Sequence, residues 1–102
     1  MKNKKEEHLI DLDEFCTHYK VEQTFVWSLH QAGLVQIETI EECNYVEEEK
    51  LSALEKFTRF YYDMDINIEG IEAINHLLEQ MDEMQHELNA LRNRLRFYEG
   101  KM

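Results

Sequence analysis

Apolar residues first appear at Leu9 and Ile10, and Leu12, Phe15, Cys16 and Tyr19 then recur at i, i+3, i+4 and i+7, the spacing of one helix face. Asp11 before them and Glu14 three residues later have capping-box spacing, so the pattern predicts a short amphipathic helix from this point. A turn near Lys20 leads to a second helical pattern on Val21, Phe25, Val26 and Leu29. Gly33 closes it as a left-handed C-terminal residue. Two short helices with a tight turn between them form a helix-turn-helix unit.

After Gly33 the period changes from helical to alternating: Val35 and Ile37 against Gln36 and Glu38, then a second short run with Cys43, Tyr45 and Val46. This predicts a small β-hairpin with Glu41 and Glu42 near its turn. The helical period returns from Glu47, with three acids in the first turn and Leu51, Leu54, Phe57, Thr58 and Tyr61 on one face, widened by Phe60 and Tyr62. Asn67 is a good N-cap for a last helix, and Ile66 and Ile71 occupy the positions of a hydrophobic staple. From there Ile74, Leu77, Met81, Met84, Leu88, Leu91, Leu95 and Tyr98 alternate three and four apart without a slip, a heptad seam that Gly100 is expected to end. At 1.5 Å per residue such a helix extends about 48 Å. The expected fold is mainly α: a winged helix-turn-helix-like domain over residues 1–65 and a long dimerisation helix over residues 66–102.

Length adds weight to the idea of a partner. A chain of 102 residues has room for one small domain and little core per subunit, so much of the seam needs a second copy. Acid dominates the helix early, at Glu72, Glu79, Asp82, Glu83 and Glu87, while Arg92, Arg94, Arg96 and Lys101 make its end basic. An antiparallel homodimer sets acidic halves against basic halves, and a parallel pair stacks like on like. The plainer alternative is that the gradient complements the helix dipole and the seam packs on the chain's own globular part.

Overall, 11 Lys and Arg stand against 22 Asp and Glu, a formal charge of −11, which argues against phosphate as a partner. Zero Pro, 3 Gly and 43% apolar residues argue against a disordered acidic tail. Cys16 and Cys43 form no C-x-x-C pair and fit free thiols in a reducing compartment. Lys2, Lys4 and Lys5 are followed by Glu6, Glu7 and His8 where a signal peptide needs its apolar stretch, and no long apolar run exists to span a membrane. The sequence reads as cytoplasmic.

The order of helix-turn-helix, hairpin, third helix and long terminal coil resembles the MerR family of transcription regulators, over Ile10 to about Glu99. The residues that carry the resemblance are Val21, Phe25, Val26, Leu29, Gly33 and Leu34, then Tyr45 to Leu51, then Ile66 to Ile71. Within that superfamily the chain is similar to the chaperone modulators of the CbpM family, in Ile66-Asn67-Ile68-Glu69-Gly70, the uninterrupted helix after it and the Leu91-Arg92-Asn93-Arg94-Leu95 ending. The superfamily implies a winged helix-turn-helix. The CbpM likeness implies a non-enzymatic regulator that binds the J-domain of a DnaJ-like co-chaperone of the CbpA type and blocks it.

The departure from DNA-binding members is physical. Val21 through Glu49 covers the second helix and the whole hairpin, and it holds no Lys or Arg but seven acids: Glu22, Glu38, Glu41, Glu42, Glu47, Glu48 and Glu49. Affinity for a duplex rests on Lys and Arg against phosphate, so this surface repels one. Where the resemblance puts DNA-facing Arg, this chain has Thr24 and Trp27. J-domains carry a basic helix, and an acidic surface complements it. The competing expectation is a DNA-binding dimer that uses Lys2, Lys4, Lys5 and the terminal Arg cluster, and a third is an adaptor dimer with some other basic partner.

Trp27 faces partly outward from the predicted second helix and is a partner-binding candidate with His30 and Gln31; covering the base of the hairpin or the third helix is an equally good reading. Glu38, Glu41 and Glu42 join them as the acids expected to meet the basic partner, although a charge run is more often a solvated face. Asp63-x-Asp65-x-Asn67 has the look of a calcium loop but puts Ile68 and Ile74 where Gly and Glu are needed. Cys16 and His18, two apart on a helix, point to different sides and make no nucleophile and base. No phosphate loop, catalytic carboxylate pair or metal motif appears, and no cofactor is expected.

Overall fold

The computed structural model describes residues 8–100, so the lysines at positions 2, 4, 5 and 101 lie outside the described residues. The elements in order are strand β1 (Leu9–Asp11), helix α1 (Leu12–Tyr19), helix α2 (Gln23–Gln31), strands β2 (Glu38–Ile40) and β3 (Cys43–Glu47), a 3-10 turn (Glu48–Lys50), helix α3 (Leu51–Thr58), a π-helical turn (Arg59–Asp63) and helix α4 (Ile68–Gly100). The fold is mainly α with a small sheet and a long C-terminal helix, the class expected.

Asp11 caps α1 by accepting the Asp13 N–H at 2.8 Å, rather than through a reciprocal bond with Glu14. Lys20 ends α1 in the left-handed region, and its N–H returns to the Cys16 carbonyl. Helix α2 ends as expected at Gly33, whose φ of +80° lets Leu34 N–H reach the Leu29 carbonyl at 2.9 Å.

The sheet corrects the predicted hairpin in two ways. A third strand, β1, pairs antiparallel with β3, giving the order β1-β3-β2, with Leu9 opposite Glu47, Ile10 opposite Val46 and Asp11 opposite Tyr45. The first hairpin strand starts at Glu38, not Val35. Val35 and Ile37 are buried, but they lie in the connection that enters β2, where the His30 ring satisfies backbone groups that a strand neighbour would otherwise take. Their alternation was a signature of burial without a ladder. Glu38 faces Tyr45 and Ile40 faces Cys43, so Glu41 and Glu42 form a two-residue loop, with φ of 48° and 67°. Positive φ at both loop residues is the hairpin geometry usually filled by Asn-Gly.

Helix α3 buries Leu54, Phe57 and Thr58 as its pattern predicts, but Tyr61 is exposed. The cause is the π turn: Met64 N–H donates to the carbonyl of Arg59, five residues back, at 3.2 Å. The wider turn shifts the helical phase, and Phe60 packs against the core instead. Asn67 Oδ1 accepts the Gly70 N–H at 2.7 Å, the expected cap, and Ile71 is fully buried. A Cβ on Gly70 would stand 2.7 Å from Ile66 Cγ2, so a side chain here would require Ile66 to shift.

One core gathers Leu12, Phe15, Val26, Leu29, Val46, Leu54, Phe57 and Ile71 from every helix and from the sheet. The chain divides into two compact units between Glu72 and Ala73, inside α4. Helix α4 continues through Gly100, one residue beyond the expected stop. Among the described residues no helix is long and apolar enough to cross a membrane.

Non-Gly residues in the left-handed region cost about 1 kcal/mol each. The double substitution Glu41→Asn and Glu42→Gly is therefore expected to raise unfolding stability by about 1–2 kcal/mol, read from urea denaturation. No gain would mean that the carboxylates stabilise the loop.

Candidate functional site

The surface that a helix-turn-helix protein presents to its partner is here built from α2 and the sheet. Along α2 the core takes Phe25, Val26 and Leu29, which leaves Gln23, Thr24 and Gln31 exposed with Glu22 at the N-cap. Two contacts hold this start in place: the Glu22 N–H donates to the Tyr62 hydroxyl at 3.1 Å, and Gln23 donates to Asp13. Ser28, one turn after Thr24, donates to its carbonyl at 2.9 Å and so stays on the helix.

Trp27 is half-buried and packed against the core, with its ring edge-on to His30 at 5.5 Å. His30 Nδ1 lies 3.2 Å from the Val35 carbonyl oxygen and 3.3 Å from the Ile37 nitrogen. Protonated at Nδ1 the ring donates to the first, and unprotonated it accepts from the second. His30 thus fastens the entry of the wing, and of the three candidates on α2 only Gln31 is freely exposed. Glu41 and Glu42 stand exposed at the hairpin tip, while Glu38 is half-buried at the far end of β2, beside Tyr45.

Sequence reasoning missed two features. One is the row that β1 adds to the sheet, because a three-residue strand is too short for alternation to show and its partner lies more than thirty residues on. The other is an aromatic cluster in which Phe25 meets the Tyr61 ring at 4.5 Å and the Tyr62 ring at 5.3 Å. Its signal was the Phe60-Tyr61-Tyr62 run, read as one widened helix face.

The second candidate surface is the seam of α4. Ile74 is half-buried, and Leu77, Met81, Met84, Leu88, Leu91, Leu95 and Tyr98 are exposed at 43–66% of their area. Phe97 and Tyr98 meet edge-on at 5.9 Å beside the Arg-rich end. A shallow groove of 460 Å³ lies along Met81, Met84, Leu88 and Leu91. Such a stripe of large apolar side chains is a candidate association surface.

Among the described residues no group of His, Cys, Asp or Glu is arranged to hold a metal ion. Cys16 is buried, and burial, with a smaller contribution from the Asp13 carboxylate, pushes its thiol above the usual range. Cys43 is exposed on β3.

Residues 10–93 match the family model described as MerR HTH family regulatory protein. No curated protein and no solved structure matches the chain.

The two thiols should separate cleanly in reactivity. A maleimide at mildly alkaline pH is expected to modify Cys43 quickly in the folded protein and Cys16 only after denaturation, read by mass spectrometry. Equal rates for both in native buffer would contradict the buried placement of Cys16.

Proposed function

The chain belongs to the MerR HTH regulatory family, and from that premise we propose that it regulates by binding protein rather than DNA, as an inhibitor of the J-domain of a DnaJ-like co-chaperone. The observation that carries this reading is the charge of the family's DNA-facing elements: residues 21–49 contain seven carboxylates and no Lys or Arg. Two of those carboxylates, Glu41 and Glu42, occupy the hairpin tip. A duplex approaching α2 and the wing meets repulsion, because residues 21–49 supply no Lys or Arg to release counterions. A J-domain presents a basic helix, and the same surface attracts it. The likeness to CbpM points to the same partner.

The working form in this reading is an antiparallel homodimer through α4, a cytoplasmic one. Reversing the seam against itself preserves its three-four spacing, so Ile74 falls opposite Tyr98, Leu77 opposite Leu95, Met81 opposite Leu91 and Met84 opposite Leu88. Every exposed seam residue gains an apolar partner in this register.

Two measurements test the reading. Titration with a J-domain and with duplex DNA at physiological salt is expected to give J-domain binding on the order of micromolar or tighter that weakens as salt rises, and no sequence-preferring DNA complex. DNA bound with sequence preference and a J-domain ignored would overturn it. Light scattering at micromolar concentration is expected to give the dimer mass for the natural chain and the monomer mass for Leu88→Glu with Leu91→Glu. A monomer mass for the natural chain would remove the dimer.

A further inference from the structure

Strand alternation assigns each residue of the sheet to one of two faces. Val46 is buried, so its cross-strand partner Ile10 shares the core side, and Leu9, Asp11, Cys43, Tyr45 and Glu47 take the other. Pairing adds Glu38, opposite Tyr45, and Ile40, opposite Cys43, to that outer face. Across its middle run Asp11, Tyr45 and Glu38 in one row, a ring with a carboxylate on each neighbouring strand. Asp11 also keeps one oxygen on the cap of α1. A groove of 410 Å³ opens on this side, with Leu9, Ile40 and Tyr45 as its apolar wall and Asp11, Glu14 and Glu41 as its carboxylates. Among the described residues no Lys, Arg or His lines it.

We propose that this outer face of the sheet is the docking surface for a basic amphipathic helix. Lys or Arg heads meet the carboxylates around the groove, and the aliphatic stems and neighbouring apolar residues lie against Leu9, Ile40 and Tyr45. Other occupants fit worse. A nucleic acid brings phosphate to carboxylate, a second copy of the face sets acid against acid, and the outer edge of β1 is three residues long, too short for strand addition. The inference rests on the reading that the chain regulates by binding protein, and it locates the surface on the sheet rather than on the exposed side of α2.

The test uses two ligands, a J-domain and a synthetic helical peptide with Lys and Arg along one side and Leu along the other, titrated calorimetrically into the full chain. Glu38→Lys with Glu47→Lys is expected to weaken binding by about tenfold or more, and Tyr45→Ala by several-fold. Glu48→Lys with Glu49→Lys, which changes the net charge equally on the adjoining turn, is expected to weaken it by less than about threefold. Circular dichroism melts confirm that each variant is folded. If the J-domain binds and both charge-reversed pairs weaken it equally, the docking surface is overturned while the proposed function stands. If only the synthetic helix binds, with the same dependence on the sheet, the docking surface stands and the J-domain is not the partner. If the natural chain binds neither ligand, the docking surface is overturned.

Discussion

Val46 is the pin on which the arrangement of charge depends. At 2% exposure it commits β3 to one register, because a slip of one residue would exchange it for Tyr45 or Glu47 and put a polar group among Leu12, Val26 and Leu54. With that choice made, the period of two leaves Tyr45 and Glu47 nowhere to go but the opposite face. Pairing then brings Asp11 and Glu38 to the same side. The placement of Asp11, Glu38 and Glu47 on one face is thus a consequence of core packing, to which the loop adds Glu41.

The same scaffold serves opposite electrostatics. A helix-turn-helix with a wing is a shape for approaching a polyanion, and in this chain the residues on that shape are carboxylates. The hairpin tip shows how far the local sequence departs from backbone preference: Glu41 and Glu42 take φ values of 48° and 67°, where Asn-Gly would be unstrained.

Much of this was legible in the residues. Asn67 as cap, Gly33 as left-handed terminator, the Glu41-Glu42 loop and the helical faces of α1 and α3 follow from spacing and short-range chemistry. What was not legible depends on long-range pairing or on a change of phase. Leu9–Asp11 becomes a strand only because β3 offers it a partner, and Val35 and Ile37 alternate because both are buried while His30 serves the backbone beside them. Tyr61 left its predicted face because the Arg59–Asp63 turn is π-helical, which no period count anticipates. On the surface, the acids were visible from composition, but their gathering onto one sheet face required β1.

In the proposed reading the exposed seam of α4 is for a second copy and the acidic sheet face is for a basic helix. The most direct measurement is an amide NMR map of the labelled chain, with the J-domain added in steps. Shifts concentrated on β1, β3 and the Glu38–Ile40 strand, with α4 beyond Ala73 unchanged, are the predicted result. Shifts confined to Gln23–Gln31, or confined to the seam from Leu77 to Tyr98, would contradict a partner held on the sheet.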